Sequence, residues 1–356
     1  MTAPDPRAAR RADWMAGGGF GLMVHWIAPG PVETGRSAAD LNRAVDAFDL
    51  AGFLRDFEAT RARWLIFTVG QNTGCYASPN ATLDRLAGKG HCSRRDLVAE
   101  IADGVRGLGA RFVAYLPGEV QAPPLSLRKA LGWTEEPETA QAEFQKRYLE
   151  VIAEWAVRWG DRVDGWWIDG CYDWPIFRNT RYDWPAWYRA LRAGNPRAAL
   201  AFNDGCCCVG RPFPLRPEHD YLSGEAEQVL DGRLRLGRNA DAKEISLHAP
   251  EQGIFPGTDC RWHALLPIDA FWTHRGQVPP FFEDWRYART ESLAADRMEP
   301  PIYSDDELVA LLENAHRIKG GVTFNAGIFQ SGRLGAETRE QLSRVAGRLP
   351  GPFVSA

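Results

Sequence analysis

The chain has 356 residues, a formal net charge of −4, 25% charged and 45% hydrophobic residues. That is an ordinary globular composition, able to bury one large core or two smaller ones. It contains no apolar stretch of about 18 residues and no long run of one charge sign, which argues against a membrane partner or a nucleic-acid partner.

The opening segment MTAPDPRAARRADW lacks the apolar core of a secretory signal, and residues 1–14 read as a flexible lead-in. The seven cysteines are an odd number without framework spacing, which fits reduced thiols and a cytoplasmic protein. Phe20–Trp26 (FGLMVHW) is the first strand expected, and Trp64–Gly70 (WLIFTVG) the second. Arg95–Leu108 follows as an amphipathic helix, with Leu97, Ile101, Val105 and Leu108 on one stripe, Ser93 as N-cap and Gly109 as the stop. Arg111–Pro117 is the third strand, and Glu138–Trp159 a long helix. Val163–Gly170 (VDGWWIDG) is the fourth strand and Ala198–Asp204 the fifth. Asp220–Gly224 is a weak sixth, Leu265–Trp272 holds a seventh, and Gly321–Gly327 is the last, between helices at Asp305–Ile318 and Ala336–Leu349. Continuous apolar runs of this length suit strands buried on both faces of a parallel sheet.

Eight strands alternating with helices predict an α/β chain, a (β/α)8 TIM-like barrel forming a single catalytic domain over residues 1–356. No Gly-rich phosphate fingerprint follows any strand, which weakens an open doubly wound sheet. Pro-rich stretches at Ala122–Pro124, Gly210–Pro217 and Pro279–Pro280 read as long loops, and in a barrel such loops build the active site.

The segment from Val163 to Trp174 carries the most chemistry. Asp169 ends an apolar strand, at the end that faces substrate in a barrel, and a carboxylate there is costly to bury unless it is used or paired. From spacing alone it is equally well a helix cap or an arginine's partner. His25 and Trp26 also sit at a strand end, where imidazole can hold a hydroxyl and indole a ring face. The chain's 14 Trp favour stacking on sugar rings, although core packing accounts for most of them. Cys206, Cys207 and Cys208 lack ligand spacing, no H-E-x-x-H pattern occurs, and Asp169 with Asp173 supplies only two nearby carboxylates. Neither a metal nor another cofactor is expected.

Several motifs resemble the α-L-fucosidase family of glycoside hydrolases. Gly19–Trp26 is similar to that family's K-F-G-I-F-I-H-W opening, and Phe48-Asp49 with Trp64–Thr68 to its approach to the second strand. Arg94–Val98 resembles its K-R-D-I-V helix start, Asp164–Gly170 its D-x-L-W-F-D-G nucleophile strand, and Gly320–Gly327 its G-G-N-L-L-L-N-V-G-P segment. The matches run in order over nearly the whole chain. They imply an exo-acting, retaining hydrolase of a carbohydrate substrate on a barrel. The family's usual C-terminal β-sandwich has no room in this sequence.

The resemblance further implies that Asp169 attacks the anomeric carbon while a second carboxyl, about 5–5.5 Å away, protonates the leaving oxygen. Tyr221–Glu225 resembles the family's Y-x-T-P-E segment and puts Glu225 forward as acid/base, with Glu251 and Glu227 as alternatives. Substrate-binding candidates are His25, Trp26, Gln71, Asn72, Trp167, Asp173 and His263. The family's K-H-H-D-G-F segment is replaced here by Gly70–Cys75 (GQNTGC), so two uncharged amides stand where two histidines hold sugar hydroxyls. A sugar other than fucose is as compatible as fucose. A catalytically weakened carbohydrate-binding barrel and an inverting glycosidase remain open alternatives.

Overall fold

The computed structural model describes residues 10–27, 38–71, 73–120, 123–136, 139–171, 181–203, 213–226, 228–230, 233–236, 243–245, 250, 252–270 and 297–349. Its strands are β1 (Gly21–Val24), β2 (Trp64–Thr68), β3 (Arg111–Pro117), β4 (Gly165–Asp169), β5 (Ala199–Phe202), β6 (Gln228–Leu230), β7 (Arg233–Leu236), β8 (Lys243–Ile245), β9 (His263–Pro267) and β10 (Gly321–Asn325). The helices are α1 (Ala38–Asp46), α2 (Leu50–Thr60), α3 (Ala81–Ala87), α4 (Leu97–Gly107), α5 (Leu125–Ala130), α6 (Ala142–Trp159), α7 (Trp184–Leu191), α8 (Asp305–Arg317) and α9 (Ala336–Arg348). Seven strands form one curled parallel sheet in the order β5-β4-β3-β2-β1-β10-β9, with β1 pairing β10 as the first and last strands should. Among the described residues no helix is long and apolar enough to cross a membrane.

The weak sixth strand expected at Asp220–Gly224 forms no regular strand; the segment makes isolated bridges, Tyr221 with Arg261 and Glu225 with Leu265, and a few backbone hydrogen bonds. The Asp220 N–H donates to the Leu200 carbonyl of β5 at 2.9 Å, the Leu222 N–H to the Arg261 carbonyl at 2.9 Å, and the Leu265 N–H of β9 to the Gly224 carbonyl at 2.8 Å. The antiparallel sheet β6-β7-β8 was not foreseen, since strands of three or four residues give no readable period.

Two element boundaries differ from expectation for local reasons. Helix α4 is capped by Asp96, whose carboxylate accepts from the Ala99 N–H, while the Ser93 hydroxyl donates to the Arg95 carbonyl instead. Helix α6 starts at Ala142 rather than at residue 138, because Ala140 and Gln141 take left-handed φ values of 49° and 57° that a right-handed helix cannot continue.

Strand periodicity sorts side chains into two cores. Leu22, Val24, Leu65, Phe67, Phe112, Ala114, Trp166 and Ile168 face the helices in an outer core, and Met23, Trp64, Ile66, Val113, Tyr115, Trp167, Ala199, Ala201, Tyr221 and Leu265 fill the concave side. The inner core is closed at the N-terminal end of the strands by the turn Asp13–Gly17, which inserts Met15, together with Ala12 just before it. Arg261 ties that turn down, donating to the Ala12 carbonyl at 3.0 Å and pairing with the Asp13 carboxylate. Residues 10–14 are therefore part of the packed base rather than a loose lead-in; residues 1–9 lie outside the described set. Trp64 fills so much of the base that a Cβ on Gly21 would sit 1.9 Å from its indole nitrogen, so only glycine fits there.

Candidate active site

Counting in twos along each strand identifies which residues share the concave side at its C-terminal end. Met23 leads to His25, Trp167 to Asp169, Ala201 to Asn203, Ser223 to Glu225 and Thr323 to Asn325. These five residues come from five different strands or strand-like segments; Asp169, Asn203 and Glu225 form one hydrogen-bonded group with Tyr115 of β3, and the hydrogen-bonded pair His25 and Asn325 lies beside it through the His25–Tyr115 ring contact.

The centre of the group is the Asn203 amide. Its Nδ2 donates to Asp169 Oδ1 at 2.8 Å and to Glu225 Oε2 at 2.5 Å. The two carboxylate oxygens are therefore at most about 5.3 Å apart, the two contacts laid end to end. Asp169 Oδ1 also accepts from the Gly170 N–H at 2.8 Å, and its Oδ2 accepts from the Tyr115 hydroxyl at 2.5 Å. Gly170 turns the chain with φ of 77°, and a Cβ there would press on the Glu119 side chain at 2.8 Å. Glycine at that position lets the strand end and the carboxylate turn inward together. Asn203 is fully buried, whereas Asp169 and Glu225 are half-buried and reachable.

His25 adjoins the group, its ring 5.1 Å from that of Tyr115. Its Nδ1 lies 2.8 Å from Asn325 Oδ1, which can only accept, so Nδ1 carries the proton. Burial pushes the imidazole pKa below its ordinary value, against a smaller upward pull from the Asn325 hydrogen bond and the Asp169 charge. Burial, and then the charge of Asp169, push the Tyr115 hydroxyl well above its ordinary range, so it remains a donor. Gln71 reaches Tyr115 from the end of β2, and its Oε1 is buried without a hydrogen-bond partner, as is Nδ2 of Asn325.

Trp167 lies directly beneath, 2% exposed, stacked on Tyr115 at 5.3 Å and donating from its indole to the Ser223 carbonyl at 3.3 Å. It is the floor of the group. Two expected site residues lie elsewhere. Trp26 has the parity of Leu22 and Val24, so its indole enters the outer core against Phe48 and Phe67 and donates to the Gln330 carbonyl. His263 opens β9 at the opposite, N-terminal end, buried, with Nδ1 at 3.0 Å from the Leu222 carbonyl and Nε2 at 2.7 Å from the Thr323 hydroxyl. Asn72, Asp173, Glu227 and Glu251 fall outside the described residues, as do Cys206, Cys207 and Cys208. Among the described residues no group of three or more His, Cys, Asp or Glu could hold a metal ion.

Tyr115, Asn203 and Asn325 were not anticipated. The signal was available: each has the inward parity of its strand, and Asn203 and Asn325 are polar residues closing apolar runs, as Asp169 is.

Solved structures share this architecture. The endo-fucoidan hydrolase MfFcnA4 from glycoside hydrolase family 107 aligns with a TM-score of 0.63 at 16% identity, over 97% of this chain and 54% of its own. This chain thus spans about half the length of that protein. Alpha-L-fucosidase isoenzyme 1 from Paenibacillus thiaminolyticus aligns with a TM-score of 0.58 at 17% identity, over 95% of this chain and 74% of its own. The Thermotoga maritima alpha-fucosidase solved in complex with fucose gives 0.52 at 16% identity, over 94% and 73%. No protein-family model matches the sequence, and no curated protein matches it. The fold of the chain is that of α-L-fucosidases and endo-fucoidan hydrolases.

Proposed function

We propose that the chain is a glycoside hydrolase that acts with retention, in the manner of an α-L-fucosidase, with Asp169 as nucleophile and Glu225 as acid/base. The observation that carries this reading is the single amide of Asn203 held between those two carboxyls. Their oxygens lie within the separation of a retaining pair and well under the 6.5–9.5 Å or so that leaves room for an inverting enzyme's water. The architecture that serves the reaction is a closed (β/α)8 barrel in which Asp220–Ala226 is the sixth stave. Its hydrogen bonds to both β5 and β9 support this closure.

In the first step an Asp169 oxygen bonds to the anomeric carbon while the glycosidic C–O bond breaks, and Glu225 delivers its proton to the leaving oxygen. In the second, a water oxygen attacks the same carbon, its proton passes to Glu225, and Asp169 leaves as carboxylate. Tyr115 fixes Asp169 Oδ2 and leaves the nucleophile no freedom to rotate. His25, its Nδ1 held by Asn325, stands at the same end to meet a sugar hydroxyl. Gln71 Oε1 and Asn325 Nδ2 offer one more acceptor and one more donor at the same end. These uncharged contacts set the sugar, and the substrate is a terminal sugar residue removed from a carbohydrate chain.

A panel of aryl α- and β-glycosides, α-L-fucoside among them, tests the reading by release of the phenol. Proton NMR of the first-formed anomer then tests retention, and chromatography of an oligosaccharide digest tests exo action. Inverted product, or an active Asp169→Ala enzyme, would sink the assignment.

A further inference from the structure

Asn203 does more than link two carboxyls, and its wider part rests on the function just proposed. An amide –NH2 has two protons in one plane, and here one is aimed at each partner: Asp169 Oδ1 at 2.8 Å and Glu225 Oε2 at 2.5 Å. The other end of the side chain is held as well, since the Ser223 hydroxyl donates to Asn203 Oδ1 at 3.4 Å. The residue is fully buried, so the amide can neither swing away nor exchange these partners for bulk water.

During a retaining cycle the two carboxyls share one negative charge, and that charge moves. In the free enzyme it is on Asp169. When the Asp169 oxygen bonds to the anomeric carbon and the Glu225 proton departs with the leaving group, Asp169 becomes a neutral ester and the charge is on Glu225. When water attacks, its proton neutralises Glu225, the ester bond breaks, and the charge returns to Asp169. We propose that Asn203 is a positioning residue whose amide follows this charge without moving, one N–H always pointing at whichever carboxyl is ionised. A fixed donor that serves both states costs no reorganisation in either step.

Other groups facing the pair are Tyr115 from β3, His25 from the end of β1, and Tyr182 with Glu119 near Asp169 and Gly170. Of the two carboxyls, Tyr115 donates to Asp169. Only Asn203 donates to both carboxyls among the described residues.

Donors to a carboxylate lower its pKa, so removing Asn203 should let both carboxyls rise. Asn203→Ala is expected to lower kcat/KM by about 10- to 100-fold, the worth of a hydrogen bond to a charged group. The loss should be similar for good and poor leaving groups, since both steps lose a donor. An acid/base variant would instead suffer most on poor leaving groups. Both limbs of the pH–rate bell should move to higher pH, by about half to one unit. Carbon-13 NMR titration of labelled Asp169 and Glu225 reads the same effect without turnover, in wild type and variant. If Asn203→Ala does not fold, the near-isosteric Asn203→Leu removes both donors without adding a charge and should likewise raise both carboxyls.

A uniform loss of rate with both limbs and both titrations in place would overturn the proposal, as would movement of only one carboxyl. If wild type cleaves no glycoside but both titrations rise in the variant, the clamp stands and the hydrolase reading falls. If wild type is active and neither titration moves, the reverse holds.

Discussion

The two ends of the same strands are built from similar residues and put to opposite uses. At the N-terminal end Trp64 donates to the Thr323 hydroxyl at 2.8 Å, that hydroxyl meets His263 Nε2 at 2.7 Å, and His263 Nδ1 meets the Leu222 carbonyl at 3.0 Å. Each donor there has an acceptor, and Met15 with Ala12 closes the end. At the C-terminal end Asn325 Nδ2 and Gln71 Oε1 are buried without a hydrogen-bond partner, and two carboxyls stand half-exposed. His263 belongs to a chain closed on backbone and hydroxyl groups, whereas His25 stands beside two amides that each keep one buried polar atom without a partner. Residue type does not separate the two ends, but satisfaction of hydrogen bonds does.

The contrast predicts activity loss without instability at one end, and instability without activity loss at the other. The largest effect is expected at Asp169. On the proposed mechanism, Asp169→Ala should lower kcat by at least about 10⁴-fold, because the covalent route would be lost. Its melting temperature should stay within a few degrees of wild type, since the carboxyl is half-exposed. Steady-state kinetics beside a thermal melt check both halves, and a collapse of stability would place Asp169 with the structural end.

Trp64 is the converse. Its indole is fully buried at the base and donates to Thr323. Trp64→Ala should cost about 3–5 kcal/mol in urea unfolding, with kcat per folded molecule within a few-fold of wild type. A selective loss of kcat at intact stability would break the comparison from the other side.

How far this division was legible in the sequence depends on the kind of signal. Parallel strands announce themselves through continuous apolar runs, and the alternation with helices was enough for the α/β sheet and for the pairing of β1 with β10. Asp169 was legible because a carboxylate ending such a run is expensive to leave without a role. Trp26 was misplaced for want of one parity count: adjacent to His25, it must face the other way. His263 was misplaced because the seventh strand was begun two residues late, at Leu265, which hid its position as the first residue of the strand. Asn203 was passed over because an amide is a weaker signal than a carboxylate, and its partners, at 169 and 225, lie more than 20 residues away in either direction.

The paired histidines offer a sharper comparison within one residue type. On the proposed function, His25→Ala should lower kcat/KM by about 10- to 1000-fold, as expected for losing a buried contact to substrate, and cost little stability. His263→Ala should leave kcat/KM near wild type and cost about 1–3 kcal/mol, because it orphans the Leu222 carbonyl and removes the Thr323 acceptor. Exchange of these two outcomes would mean that the catalytic end has been misassigned.

The smallest effect concerns pH and compares the two ends of β9. Burial lowers His263 at the start of the strand to about 4, and raises Asp269, just beyond its end, to about 6. The signs oppose. A histidine depressed in the fold binds fewer protons there than in the unfolded chain, so stability rises with pH from about 4 to 6.5 and is lost on acidification. A carboxyl raised in the fold holds its proton longer, so its contribution is present below about 4 and is lost as pH climbs through about 6. His219, lowered by burial to about 3, adds to the first slope. In wild type the Asp269 slope offsets part of the histidine slope across pH 4–6. Asp269→Asn should therefore expose a rise in stability with pH, by up to about 1.4 kcal/mol per unit for each unopposed histidine. His263→Gln should tilt the profile the other way. Urea midpoints taken at half-unit steps from pH 4 to 7 would show it, and parallel profiles for the two variants would mean that the buried groups at the two ends of β9 do not titrate in opposition.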